Sequence, residues 1–322
     1  MKGKRCLSVG LVGFGRWGQL LAKAIGEHDG LDLKGICFRS APDGPLYHQD
    51  LESMLSGVNL DLLAIATPLR GRAELVQQAL LSGKHVFTEK PLAESYGRAL
   101  ELVKLARSRD LCLFTNYVHA YSSGLEHVLR TRPEIGQLDM IDVRLEQPGP
   151  MYRSEGAMSL LGSHALAIII RMAGREHEPA RLENVRYREL SNGKLVTMQG
   201  RFGDAGPEVR FTVNIGHPIR SRAVDMVGSR GLISVVMTGD SGVWHSRYPE
   251  AYQADNVSPD VSDRRFDERH NLHRALDRCI GALEGRHPDN TQLALSVPVS
   301  YTHLTLPTMS TTCRWVGGPE EE

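Results

Sequence analysis

Residues 7–18 read Leu-Ser-Val-Gly-Leu-Val-Gly-Phe-Gly-Arg-Trp-Gly, and few stretches restrict a chain more. An apolar run reaches Val12 and breaks into a G-x-G-x-x-G turn built on Gly13, Gly15 and Gly18. Residues 16–27 then have helical periodicity, with Leu20, Leu21, Ala24 and Ile25 on one expected face. Strand, glycine turn and helix in that order form the context of a dinucleotide-binding unit. Gly13 permits the tight turn, Gly15 leaves room for a pyrophosphate, and Gly18 lets the helix approach its strand. The helix start offers unpaired N–H groups to phosphates.

The rest of the first third repeats the alternation. Strands are expected at 31–38, 60–66, 85–88 and 111–115, and helices near 50–56, 70–82 and 95–109. A βα alternation through about residue 120 predicts an α/β, doubly wound parallel sheet of the Rossmann kind. Beyond it the pattern changes. Helices are expected at 122–130, 158–173 and 266–284, with strands at 138–146, 182–190, 194–203, 208–217, 222–228 and 231–237. Consecutive strands joined by short turns predict an open, mainly antiparallel sheet. The expected organisation is a Rossmann dinucleotide-binding domain over 1–120 and a substrate and oligomerisation α/β domain over 121–297. Residues 299–308, Val-Ser-Tyr-Thr-His-Leu-Thr-Leu-Pro-Thr, back-translate to the end of a transposon adapter used in sequencing libraries. The native sequence is therefore expected to be truncated near Val297, and 298–322 is excluded from the fold reading as a non-native tail.

Charge narrows the partners. Lys plus Arg and Asp plus Glu both number 38 in 322 residues, a net charge of zero. That gives no support for nucleic-acid or membrane-surface binding. Cys6, Cys37, Cys112, Cys279 and Cys313 are scattered, with no C-x-x-C, which suits a reducing, cytoplasmic location. No apolar run is long enough to span a membrane, and the basic start at 1–5 leads into the first strand rather than a signal peptide. His217, His245, His270, His273 and His287 lack metal-ligand spacing, so no metal is expected.

The second strand should end at the residue that reads the adenosine ribose. An acid there favours NAD; here the strand ends Phe38-Arg39-Ser40. A guanidinium beside a hydroxyl suits a 2′-phosphate, so NADP is expected, with NAD as the alternative. Glu89-Lys90-Pro91 follows a buried strand, at the sheet edge where ligands bind. Lys90 there is either a proton relay to a substrate hydroxyl or a structural partner of Glu89. Asn116, Tyr117 and His119 follow the last strand of the first domain, and Arg153 lies in a Pro-Gly-rich loop suited to an anionic group.

Together, Gly13-Phe-Gly-Arg-Trp-Gly18, Ala66-Thr67-Pro68, Ala73-Glu74 and Ser82-Gly-Lys-His-Val-Phe-Thr-Glu-Lys-Pro91 resemble the Gfo/Idh/MocA oxidoreductases, which include glucose-fructose oxidoreductase and inositol dehydrogenase. The resemblance implies hydride transfer between NAD(P) and a secondary alcohol or ketone of a sugar, cyclitol or sugar derivative. It implies Lys90 as catalytic lysine. It places Gly13, Phe14, Gly15, Arg16 and Trp17 along the pyrophosphate, and Ala66, Thr67, Pro68 and Glu89 along the cofactor. It also implies a homo-oligomer, dimer or tetramer, formed through the open sheet. The family's second motif, an Asp four residues before a His, falls on Leu160 and His164 here. His164 is the second catalytic candidate, but leucine can neither orient it nor touch a hydroxyl. That departure keeps open another reading, a non-catalytic NAD(P)-binding sensor on the same fold.

Overall fold

A computed structural model describes residues 6–148, 157–174, 181–190, 193–201, 206–238, 241–247, 260–266 and 271–285. Arg153, His270, His287 and the tail 298–322 lie outside these residues.

The first sheet has six strands, all parallel: β1 (Leu7–Val12), β2 (Leu31–Cys37), β3 (Tyr47–His48), β4 (Leu62–Ile65), β5 (His85–Thr88) and β6 (Leu113–Thr115). Their order is β3-β2-β1-β4-β5-β6, the doubly wound arrangement expected. It reverses between β1 and β4, so the strand ends there open a crevice. Helices α1 (Arg16–Gly26), α2 (Leu51–Gly57), α3 (Arg72–Leu81) and α4 (Tyr96–Ser108) cover the two faces. Asp50 and Ser95 cap α2 and α4, each accepting from the N–H three residues on.

One detail of α1 departs from expectation. Its buried stripe is Gly18, Leu21, Ala24 and Ile25, while Leu20 is 48% exposed. Gly18, Leu21 and Ile25 stack along one line at i, i+3 and i+7, and Leu20 lies about 100° around the helix from Leu21.

The second sheet has eight strands: β7 (Leu138–Pro148), β8 (Arg181–Leu190), β9 (Gly193–Arg201), β10 (Glu208–Asn214), β11 (Gly216–Gly228), β12 (Gly231–Val236), β13 (Ser241–Arg247) and β14 (Asp260–Phe266). The order is β14-β13-β12-β11-β7-β10-β9-β8. Every neighbouring pair is antiparallel except β7 with β10. β11 begins six residues before its expected start, and β13 and β14 were not expected. Their sequences, Ser-Gly-Val-Trp-His-Ser-Arg and Asp-Val-Ser-Asp-Arg-Arg-Phe, are too polar to show an apolar alternation. Pairing along the sheet, rather than burial, makes them strands.

Helix α6 (Ser163–Ala173) lies on the face of this sheet that carries Ile141, Val143 and Leu145. Helix α5 (Ser123–Thr131) follows a short 3₁₀ turn, Val118–Tyr121, which leads out of the first domain. Helix α7 (Asn271–Leu283) returns to pack on α1: Ala275, Leu276 and Cys279 share a core with Leu21, Ala24 and Ile25. His28 and Asp277 meet at 3.1 Å on its rim, and His273 and Glu27 at 3.5 Å. The same core continues through Tyr117 and Tyr121 to Ile168 and Val143, so apolar packing runs without a break from one sheet to the other.

Candidate active site

The glycine turn has the geometry its residues imply. Gly13 has φ +95°, and its N–H donates to Cys37 O at 2.8 Å, tying the turn to β2. A Cβ on Gly18 would collide with the carbonyl oxygen of Gly13, so only glycine lets α1 start so close to β1. A Cβ on Gly15 would meet nothing, because Gly15 faces open space at the amino end of α1. That space is a cleft of about 580 Å³. Its lining includes Gly13, Phe14 and Gly15 of the turn, Ala66, Thr67 and Pro68 after β4, and Phe38, Arg39, Gln49 and Asp50. Phe14 and Phe38 touch, with ring centroids 5.4 Å apart. A cleft that includes the amino terminus of a helix fits a dinucleotide, with glycines where phosphates would approach. Arg16 and Ser40 are exposed near the cleft but are not among its walls, and Gly18 lies buried beneath it.

Trp17 connects the turn to the chemistry. Its indole Nε1 donates to Glu89 Oε1, and Asn116 Nδ2 donates to the same oxygen at 2.7 Å. Burial pushes the Glu89 carboxyl up; Asn116, Lys90, Arg72 and Trp17 pull the other way. Arg72, buried at the start of α3, donates to Thr67 O at 3.2 Å, Glu89 O at 3.0 Å and Pro91 O at 2.7 Å. One guanidinium thus fixes the turns after β4 and β5 against each other. Sequence reasoning did not find Arg72, because a charge at a helix start reads as a solvated end. Gln49 and Asp50 were missed for a similar reason: Asp50 read only as the start of a short helix.

Lys90 projects from the β5 end toward the second domain. Its Nζ donates to Leu160 O at 3.0 Å. Leu160 belongs to a π-type turn, Met158–Gly162, in which Ser163 N–H reaches back five residues to Met158 O. Wide turns of this kind often mark functional positions in helices. The Leu160 side chain packs against the apolar core, so no carboxylate occupies that position. His164 follows on α6, with the His119 ring 4.6 Å away and the Tyr117 ring edge-on at 6.4 Å. Burial holds His164 and His119 well below the ordinary imidazole range, helped in His164 by His119, Lys90 and Arg222 and in His119 by Arg222, Lys90 and Arg220. Both rings are therefore neutral at neutral pH. Among the described residues, His164 Nδ1, the Tyr117 hydroxyl and Asn116 Oδ1 are buried without a hydrogen-bond partner. Such atoms are rare in folded proteins, and these three belong to one cluster.

The segment carrying His119 is held to α6. Arg171 donates to Ala120 O and to Glu126 Oε1, the latter at 2.7 Å, and lies over the Tyr121 ring at 4.8 Å.

Residues 7–117 match the model of the Gfo/Idh/MocA family, described as an oxidoreductase family with an NAD-binding Rossmann fold. Over these residues the chain is similar to the Gfo/Idh/MocA oxidoreductases. This family match sits on the glycine turn and on the Glu89-Lys90-Pro91 segment. A galactose 1-dehydrogenase of Pseudomonas fluorescens is 30% identical over 170 residues, covering 51% of this chain and 56% of that protein. The chain spans between about a fifth and just over half the length of the curated relatives it matches first. Two solved structures share the fold over nearly the whole chain. GenD2 from gentamicin A biosynthesis, in complex with NAD, has a TM-score of 0.73 at 20% identity, covering 93% of this chain and 92% of that one. KijD10, a 3-ketoreductase from Actinomadura kijaniata in complex with TDP-benzene and NADP, has a TM-score of 0.73 at 17% identity, covering 92% and 96%. The fold shared with these structures thus extends over the second sheet as well as the first.

Proposed function

We propose that this chain is an NAD(P)-dependent dehydrogenase or reductase acting on a secondary alcohol or ketone of a sugar, cyclitol or sugar derivative. The observation that carries this reading is the convergence of Lys90, His119 and His164 beside the end of β5, next to the cofactor cleft. Sugar dehydrogenases and a ketoreductase among the similar proteins support the substrate class. The nicotinamide supplies or accepts the hydride when bound. The protein's part is to hold the dinucleotide on Gly13, Phe14, Gly15, Ala66, Thr67 and Pro68, and to move one proton. Lys90 Nζ, held by Leu160 O, is placed to exchange a proton with a substrate oxygen. A neutral His164 has one ring nitrogen to donate and one to accept, which suits it to orient a hydroxyl. Glu89, bridged to Trp17 and Asn116, fixes the strand end that carries Lys90.

Arg39 in the lining of the cleft supports NADP(H), because a guanidinium matches a 2′-phosphate. Asp50 and Glu52 in the same lining favour NAD, because a carboxylate accepts from a free 2′-hydroxyl and repels a phosphate. Fluorescence titration with NADPH and NADH decides between the two; tighter NADH binding rejects the Arg39 assignment. A second reading, a cofactor-binding sensor without turnover, rests on Leu160 occupying the position of the motif carboxylate. Following nicotinamide absorbance with a panel of sugars and cyclitols separates the two. Dinucleotide binding with no turnover on any member favours the sensor.

A further inference from the structure

On β11, Arg222 lies opposite Leu145 of β7, Val224 opposite Val143, and Met226 opposite Ile141. Residues directly opposite in a ladder share a face of the sheet. Leu145 in turn pairs with Val213 of β10. Arg222 therefore stands in a row of buried aliphatic side chains, on the face against which α6 and His164 pack. It ends that row at the first domain's side, where its field reaches His119 and His164.

Several other buried or partly buried arginines among the described residues have their charge answered. Arg144 pairs with Asp142 and Asp225, Arg171 with Glu126, and Arg72 caps main-chain carbonyls. Among the described residues, Arg222 has no such partner, and the charged neighbour acting on it is another cation, Arg220, exposed two residues earlier on the strand. Burial and Arg220 push it down to about 10. Gln147, buried on the same face of β7 one step past Leu145, adds an amide beside it. Lys90 brings a further positive charge, and His119 and His164 are neutral. The polar end of this face is thus cationic, and a desolvated guanidinium without an acid is a strong receptor for an anion.

We propose that Arg222, assisted by Arg220 and Gln147, is a substrate-specificity site that binds an anionic group, so that the sugar-like substrate carries a carboxylate or a phosphate. The site rests on the oxidoreductase reading for the identity of the rest of the ligand. It makes the preferred substrate a sugar acid or a phosphorylated sugar rather than a free neutral sugar. A guanidinium fork fixes such a group in one orientation, and so selects which carbon faces Lys90 and the cofactor.

The test is calorimetric titration of the full chain, saturated with NADP or NAD, against D-glucose, D-glucuronate and D-glucose 1-phosphate. At least one anionic probe is expected to bind ~tenfold or more tightly than glucose, the scale of one charge-assisted hydrogen-bonded pair. A gain for glucuronate alone identifies a carboxylate site, and a gain for the phosphate ester alone identifies a phosphate site. Arg222→Gln should abolish the preference while leaving dinucleotide affinity unchanged. Arg222→Lys should retain part of it, and serves where the glutamine variant does not fold. Equal binding of neutral and anionic probes, or binding of none, overturns the proposal; so does a preference that survives Arg222→Gln. A flat dinucleotide titration is a different failure. It rejects the oxidoreductase reading, and the anion titration is then repeated on the chain alone, with the same two outcomes for Arg222.

Discussion

The Lys90 ammonium donates to the main-chain carbonyl of Leu160, 3.0 Å away, across the junction of the two domains. The residue at the motif's carboxylate position thus still engages the lysine, but through its backbone. The arrangement positions Lys90.

Lys90→Ala is expected to lower kcat by about 10²- to 10⁴-fold, the usual contribution of a positioned acid–base group. Dinucleotide affinity should be nearly unchanged, because the cleft is built from other residues. Steady-state kinetics beside a fluorescence titration make the comparison. Full turnover in the variant would remove Lys90 from the mechanism.

Gly18→Ala places a methyl group against the Gly13 carbonyl. The helix must shift, at a cost of about 1–3 kcal/mol. A lower melting temperature and weaker dinucleotide binding should appear together, since the shift moves both α1 and the turn. Loss of one without the other would contradict this packing argument.

His164 gives a pH signature. The folded ring is held well below its ordinary 6.5, whereas the unfolded chain takes up its proton near that value. Between the two values the unfolded state binds more protons, so stability rises with pH. The contribution of neutral His164 is present above 6.5 and is lost as pH falls toward the folded value. Urea unfolding a unit above and a unit below 6.5 should show the wild type losing stability on the acid side, and His164→Gln losing less. NMR of the ring should show it neutral through 6.5.

Glu89 has the opposite sign. Burial raises its folded carboxyl above 4.5, so the folded chain holds the proton more tightly and stability falls as pH rises above 4.5. Glu89→Gln keeps an oxygen for Trp17 and Asn116 and removes the charge. The variant should gain on the wild type as pH rises through that window, while turnover falls if the charge helps to hold Lys90. Parallel melting curves at every pH would refute the assignment.

Arg171→Leu leaves Ala120 O without its donor and Glu126 without its cation. Destabilisation of about 2–4 kcal/mol is expected by urea unfolding. The His119 ring resonances should shift too, because its segment loses its tie to α6. A stability loss with unmoved His119 signals would show that Arg171 acts on the fold alone.

The features legible in the sequence are local ones. Gly13, Gly15 and Gly18 act within one turn. Glu89-Lys90-Pro91 follows one strand, and His164 stands on one helix. Their types and spacing carry the signal with no knowledge of what lies opposite. Leu160 was legible for the same reason, as a departure within a short motif. Arg72 and Arg222 were not, because each takes its meaning from distant elements: Arg72 from two strand-end turns, Arg222 from the helix laid over its sheet. The Arg222, Val224, Met226 phase does hold a clue, an arginine in the apolar register of a strand. β13 and β14 were hidden because ladder pairing places them, and pairing leaves no mark on a polar sequence.

Helix α7 carries a final consequence. It is the last described helix in the chain, yet it seats Ala275, Leu276 and Cys279 on Leu21, Ala24 and Ile25 of the first. The first folding unit is therefore assembled from two segments separated by the whole second sheet. A fragment cut after residue 120 would carry Gly13, Gly15, Gly18 and Lys90, and would expose an unclosed apolar seam along α1. Such a piece would tend to aggregate, whereas one that fused 271–285 back onto it would close the seam and stay in solution.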